Sequence, residues 1–352
     1  MPELEGILRQ LDIQALRLYA LDPFDPQPWT PLENMQAVLQ LTPSLQHLEL
    51  CASPLSLAID SAPFLHVVQR HTPHLTTLIL RNVPTTFGQL SSLMLRNLEV
   101  RVHTNQPHSS GLRVVTFWQL LKNTPSLERL ILHDLAANNW VEAGSYLPSL
   151  ASPQLPRLRC FHLETRSARL ACGYLALVSR SNLQDLAFAP FPYSPRSNLW
   201  NIEQLQAWPQ LKVLSLPPMK GINAGVFDAL TAVEDLECGR TDFLNLLPLV
   251  SQGTTIFPRL NTLRIRSVAG RWDKDGSIAG FLRTRDNAGS PLQRLLVHEG
   301  AVPRFFKVER DLGGINVQMG RYRPRDGFEG VTAALETVDV LFSEAELKKY
   351  GL

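Results

Sequence analysis

Cys160 and His162 stand two residues apart, so in an extended segment both side chains leave the same face, as a thiol nucleophile and its general base would need. No third group that would orient the imidazole accompanies them, and the pair is given no catalytic role. His71-x-x-His74 has the spacing of half a zinc site, yet no matching pair of Cys or His follows, and it reads as a solvated corner. Asp273-Lys-Asp275-Gly276 imitates the start of a calcium loop, but Thr284 stands where the closing glutamate belongs, so it reads as a turn. The phosphate-cradling Gly-x-x-x-x-Gly-Lys-Ser/Thr, the Gly-x-Gly-x-x-Gly fingerprint and the Gly-x-Ser-x-Gly elbow are absent. The expectation is a protein that is not an enzyme and takes no cofactor or metal.

The strand that would carry Cys160 and His162 belongs to a series. TPSLQHLEL (42–50) returns as TPHLTTLIL (72–80) and TPSLERLIL (124–132). The spacing Leu-x-x-Leu-x-Leu, with apolar replacements, occurs at Leu45/Leu48/Leu50, Leu75/Leu78/Leu80, Leu95/Leu98/Val100, Leu127/Leu130/Leu132 and Leu158/Phe161/Leu163. It continues at Leu183/Leu186/Phe188, Leu211/Leu214/Leu216, Val233/Leu236/Cys238, Leu260/Leu263/Ile265 and Leu292/Leu295/Val297, which makes ten units with steps of 20 to 32 residues. A weaker copy at Ile13/Leu16/Leu18 opens the array, and Leu335/Val338/Val340 is read as a degenerate copy near its end.

Alternation along an extended chain turns the second and third apolar residues of each unit inward together. Between strands the period changes. ENMQAVLQL, APFLHVVQRH, RVVTFWQLLKN, ACGYLALVSR and DFLNLLPLV place apolar residues three and four apart, as helices with one buried stripe do. Pro43, Pro73, Pro125, Pro156, Pro209 and Pro258 each stand two residues before the first apolar position of a unit. Proline cannot continue a helix and biases the preceding residue away from helical geometry, so it ends each return segment and aims the chain into the next strand. One such unit cannot bury its own apolar face; stacked neighbours can, which allows a long chain without separate globular cores.

This pattern resembles the leucine-rich repeat family over roughly residues 10–300. The resemblance implies a right-handed α/β solenoid, a horseshoe with a parallel concave sheet and helices on the convex side. The expected organisation is an N-terminal cap with the weak repeat (1–30), the array (31–299) and a C-terminal capping region (300–352). Asparagine is absent three residues after the last apolar position, which holds Ser53, Val83, Leu135, Arg166, Met219 or Val268. Irregular unit length and Pro-marked strand starts such as FPRLNTLRI are most similar to the leucine-rich portions of fungal F-box-type proteins. That likeness implies recognition of a protein substrate for ubiquitin ligation, with a Skp-type adaptor and a cullin as further partners if an F-box is encoded upstream. None is visible here; PELEGILRQL has only superficially similar leucines, and DPFDPQPWTP cannot be part of a helical bundle.

Residues flanking the inward pair face the opposite side of the strands, and they are the expected partner-binding positions: Arg129, His162, Asp185, Asp235, Glu237, Arg264, Arg266 and Arg294. The middle strands contribute little charge, the pair 235/237 is acidic, and Arg264, Arg266 and Arg294 offer basic rungs to an acidic protein segment. Residues 259–325 hold 14 Lys/Arg against 6 Asp/Glu in a chain of net charge +2. Arg321, Arg323 and Arg325, near Tyr322 and Phe328, could form a basic arm for RNA, but without a repeated aromatic platform the cap is the favoured reading and nucleic acid is not expected. The cap would close on a helix at SEAELKKY, with Ser343 and Glu346 as its capping box. A stand-alone inhibitor or regulator that wraps another protein is the alternative reading. Four scattered cysteines, no signal sequence, no apolar run of membrane-spanning length and no Asn-x-Ser/Thr sequon give a cytoplasmic or nuclear, intracellular expectation.

Overall fold

A computed structural model describes residues 12–19, 31–51, 61–81, 94–101, 114–135, 153–165, 168–190, 202–216, 227, 229–239, 256–266, 277–308, 312, 315–324 and 337–350. The chain divides into two compact units, Met1–Asn182 and Leu183–Leu352.

In the first unit six parallel strands follow one another in chain order: β1 (Ala15–Tyr19), β2 (His47–Cys51), β3 (Thr77–Arg81), β4 (Asn97–Arg101), β5 (Arg129–Leu135) and β6 (Cys160–Thr165). Their return segments include α1 (Pro31–Gln40), α2 (Ser61–His71), α3 (Val114–Asn123) and α4 (Ala168–Val178). Pairing is in register, so Leu48, Leu78, Leu98, Leu130 and Phe161 form one inward row, and Leu50, Leu80, Val100, Leu132 and Leu163 another. All ten are buried, as are Leu45, Leu75, Leu95, Leu127 and Leu158 in front of them. The helices bury apolar residues of their own, Leu39 of α1, Val67 and Val68 of α2, and Leu120 and Leu121 of α3, and Phe117 of α3 meets Tyr174 of α4 edge to face at 4.6 Å. Leu16 and Leu18 of the weak opening copy do pair with β2, but they are only half-buried.

The second unit runs β7 (Asp185–Pro190), β8 (Val213–Ser215), β9 (Asp235–Cys238), β10 (Thr262–Ile265), β11 (Arg294–His298) and β12 (Gln318–Pro324), described pairs parallel, then β13 (Thr337–Leu341) antiparallel to β12. Its described helices are α5 (Ser277–Asn287), α6 (Val302–Val308) and α7 (Glu344–Lys349), with a 3-10 return at Ile202–Ala207. The helix expected within DFLNLLPLV, the turn at Asp273–Gly276, and Arg325 and Phe328 lie outside the described residues. Repeated strands with helical returns make each unit a leucine-rich-repeat array.

Two readings of the chain's end need correction. β12 is a further parallel strand, with Met319 and Arg321 in the inward rows beside Leu295 and Val297. Val338 and Val340, expected to be inward residues of a last repeat, lie on the antiparallel β13 and are 39% and 41% exposed. α7 follows β13. Ser343 Oγ accepts from Glu346 N at 3.4 Å while Glu346 Oε2 accepts from Ser343 N at 2.9 Å, completing the capping box of α7. Phe306, Phe342 and Tyr350 stack into one aromatic cluster.

The turn behind the repeated Thr-Pro is explicit in the hydrogen bonds. The carbonyl of the residue before proline accepts from the first apolar residue of the unit: Leu45 N to Thr42 O at 3.2 Å, Leu75 to Thr72 at 3.2 Å and Leu127 to Thr124 at 3.1 Å. Leu158 to Leu155, Leu211 to Trp208 and Leu260 to Phe257 repeat it, so every proline named above occupies the second position of a β-turn. The threonine has its own task. Its hydroxyl donates back to a carbonyl four residues earlier, at 2.6 Å for Thr72 to Val68 and 2.8 Å for Thr124 to Leu120, which adds a donor at a buried helix end; Val68 O accepts from Thr72 N as well. At Phe257 another device holds the turn. The residue has a positive φ of 52°, and the buried guanidinium of Arg285 reaches from α5 to the carbonyls of Ile256, Phe257 and Leu260 at 3.1 to 3.2 Å.

Thr124→Val keeps the side-chain shape and removes one hydrogen bond; it should lower unfolding free energy by about 1 kcal/mol in urea titration. Arg285→Met removes three hydrogen bonds, leaving Phe257 O only its bond from Leu260 N, and should lower it by ~3 kcal/mol or more. Equal effects of the two would contradict a tethering role for Arg285.

Candidate recognition surface

Three residues of each strand face away from the leucine core: a first, a middle and a last outward position. The sequence reading treats all three as exposed. In the first unit the middle row is instead buried at Glu49, Glu99, Ile131 and His162. Strands in register lie ~4.8 Å apart, so a middle side chain is fenced by its counterparts on both neighbours and roofed by longer side chains from the flanking rows. A carboxylate placed there must find a cation nearby.

Glu49 has two. Arg17, its register partner on β1, and Arg81 on β3 both bond its carboxylate, Arg81 through Nε at 2.5 Å. Burial works against the charge of Glu49, but hydrogen bonding and the positive charges of Arg81 and Arg17 prevail and hold the carboxyl below its ordinary value. Cys51 beside it, half-buried and near that carboxylate, has its thiol pushed up. Arg101 of β4 turns back onto Glu99 of its own strand at 2.5 Å. On β5 and β6, His133 Nδ1 lies 3.1 Å from Glu164 Oε2 and Cys160 Sγ lies 3.3 Å from His162 Nε2. Burial, and then the neighbouring Arg101, push His133 down to about 3, so it is neutral in the folded protein. Arg129, also on β5, is half-buried.

In the second unit the middle row reads Ala187, Ser215, Glu237, Arg264, Leu296 and Gly320. Glu237 is wholly buried and accepts from Ser215 Oγ at 2.8 Å, Tyr322 Oη at 2.9 Å and Arg266 Nε at 3.3 Å. Arg266 also donates to Ser215 Oγ and to the carbonyls of Phe188 and Leu216. Arg264, 4% exposed, lies between two carboxylates: Nε and Nη2 on Asp235 at 3.0 to 3.2 Å, Nη1 and Nη2 on Asp339 at 2.6 and 3.1 Å. Burial disfavours its charge, yet Asp339 and Asp235 raise its pKa further. Burial pushes the Asp235 carboxyl up against the pull of Arg264; the two-pronged geometry is that of an ionised pair. Arg294 Nη1 stands 3.8 Å from Asp339, and the Arg264 guanidinium lies 5.5 Å above the Tyr322 ring. Tyr322, buried and beside Glu237, has its hydroxyl pKa raised.

The structure thus joins Asp235 to Arg264 and Glu237 to Arg266, and brings Arg294 towards Arg264 through Asp339. Arg264 and Arg266, expected as open basic rungs, are engaged within the chain. Asp185 is buried on β7, and Arg129 and His162 belong to the first unit. Sequence reasoning missed Arg17, Glu99 and Arg101 as ion-pair partners and Asp339 altogether, and it named Tyr322 only as an aromatic beside a basic arm. His71 and His74 are respectively half-buried and exposed at the end of α2, where the first unit's corner was expected.

No known protein-family description matches the chain, and no curated protein sequence does. Among solved structures, an internalin from Listeria monocytogenes aligns with 84% of this chain and 83% of its own, at 14% identity and a TM-score of 0.38. The repeat architecture therefore rests on the strand order and register given above. Among the described residues no helix is long and apolar enough to cross a membrane.

His133 gives the first unit an acid sensitivity of calculable sign. Its folded pKa lies below the unfolded value of ~6.5, so the unfolded state binds the extra proton, and stability is full above that pH and lost as pH falls toward 3. Arg81, Arg101, Glu99, His162 and Glu164 surround it and set the local charge. In urea titrations, His133→Gln should remove up to ~1.4 kcal/mol per pH unit from the decline between pH 6 and 4. An unchanged acid slope would mean that His133 already carries its proton in the fold.

Proposed function

We propose that this protein is a non-enzymatic scaffold that recognises other proteins through the outward faces of its strands. One observation carries the reading: Glu49, Glu99 and Glu237 lie deeper than the guanidiniums that pair with them, whereas Arg264, at 4% exposed, lies deeper than its partners Asp235 and Asp339 at 16% and 26%. Glu49 and Glu99 side chains are 4% exposed and Glu237 0%, whereas Arg17 is 54%, Arg81 25% and Arg294 43% exposed. A partner approaching Glu49, Glu99 or Glu237 meets first the rim of guanidiniums that pair with them, on side chains held in place by those ion pairs. Such a face suits an acidic protein surface, with preorganisation reducing the ordering cost of binding. Of the partner-binding positions expected from sequence, Arg294 and half-buried Arg129 belong to the rim. His162, Asp185, Asp235, Glu237, Arg264 and Arg266 serve as the supports that set its shape.

The setting that the sequence resemblance implies is substrate recognition for ubiquitin ligation. Irregular unit lengths, Pro-marked strand starts and the lack of an asparagine ladder support it. Gel filtration with a Skp-type adaptor tests that setting: co-elution supports it, and separate elution counts against it while leaving the scaffold reading in place.

A photo-crosslinking residue at Arg17 or Arg294, compared with one at exposed Asp286 on α5, tests the face itself. Adducts should form at the two rim positions, fall several-fold between low salt and ~0.3 M salt, and be absent at Asp286. Adducts at Asp286 alone, or salt-independent ones, would overturn the reading.

A further inference from the structure

β13 differs from the other strands in what holds it. It runs against the parallel order, and its Val338, Val340 and Leu341 side chains are 39%, 41% and 50% exposed, so little apolar area fastens it. Among the described residues, and apart from buried Phe342 just after it, whose N–H donates to Met319 O at 2.9 Å, two attachments of β13 stand out. One is the main-chain ladder to β12, in the register Gly320 to Leu341, Tyr322 to Asp339 and Pro324 to Thr337. The other is Asp339, whose two oxygens take Nη1 and Nη2 of Arg264, with Arg294 3.8 Å away. β12 is shaped for a strand at this distance. A Cβ on Gly320 would lie 2.7 Å from the Val340 carbonyl oxygen and 3.1 Å from Leu341 Cα, both backbone atoms that cannot swing aside.

We propose that the edge of β12 that β13 covers, together with Arg264 and Arg294, is a strand-addition site for extended acidic peptides, and that β13 is its resident occupant within the chain. The ligand is a partner segment in extended conformation with a single Asp between two β-branched residues. Main-chain bonds to β12 supply affinity, the two guanidiniums supply selection for the carboxylate, and apolar side chains on either side of the Asp are tolerated because they need no pocket. Arg264 is well prepared for this role. Asp235 grips it from behind and Tyr322 lies under it, so its outward nitrogens are fixed before any ligand arrives. β13 and an incoming peptide compete for one seat, and binding in trans is reduced by the fraction of time the seat is filled. The site needs only the β12 edge, so it stands whether or not the strand faces bind a partner.

The test uses the full chain and a fluorescent peptide of residues 336–343, ETVDVLFS, read by anisotropy. Asp339→Asn loosens the resident strand and should bind the peptide at least about tenfold more tightly than wild type, since the competitor has lost its charge contact. A peptide with Asn in place of the Asp should bind that variant at least about tenfold more weakly, and adding Gly320→Val should abolish binding. Equal affinity of wild type and Asp339→Asn, or equal affinity of the Asp and Asn peptides, overturns the proposal. Hydrogen exchange on wild type decides independently of any variant's folding: amides of Val338–Leu341 should exchange at least about tenfold faster than those of β10 and β11. Protection of β13 equal to that of β10 overturns it as well.

Discussion

In-register parallel pairing is the constraint on which the rest of each unit depends. Once strands stack position for position, every side chain has its counterpart from the neighbouring repeat a strand spacing away. On the core side this turns Leu-x-x-Leu-x-Leu into continuous apolar rows that no single unit could bury. On the other side it makes a charged residue's environment a property of the next repeat. Glu49 is tolerable because β1 and β3 offer Arg17 and Arg81, and Glu237 because Ser215, Arg266 and Tyr322 converge from β8, the end of β10 and β12.

The two sides solve different problems with one geometry. Leucines need only be excluded from water. The outward carboxylates also need donors at fixed distance, and long arginine side chains supply them from flanking positions while keeping part of their own surface wet. A stiff, cation-rimmed face follows from that division of labour. The same logic shapes the end of the second unit, where Arg321 occupies an inward register position but remains half-exposed, 3.9 Å from Glu299 and 3.8 Å from Glu346. A charged residue can stand there because little of the array lies beyond it.

The inward rows were legible in the sequence because their signal is local: a fixed spacing of apolar residues, repeated, with proline marking the turn before it. Position Leu45, Leu127 or Leu260 could be placed without knowing any partner. The depth of the outward residues was not legible. Alternation gives a side chain's direction, whereas its burial depends on what the adjacent repeats carry, and Arg264 with Asp339 spans 75 residues of sequence. β12 escaped notice because Met319 and Arg321 do not look like a leucine pair, and Val338/Val340 misled because the spacing says nothing of strand direction. The threonine before proline was visible, but its role was not; only the buried helix end reveals why a hydroxyl belongs there.

Register stacking also limits how such a chain can change length. Ile79 stands between Glu49 and Glu99 in the middle row of β2, β3 and β4. Excising the β3 repeat would leave every leucine matched to a leucine, yet it would set two buried carboxylates side by side and remove Arg81, which serves the first of them. The apolar rows would accept the deletion and the ionic row would not. Repeats in this chain are interchangeable in shape but ordered by charge, so gains and losses of repeats during evolution would have been filtered by the sign of the residue at one outward position.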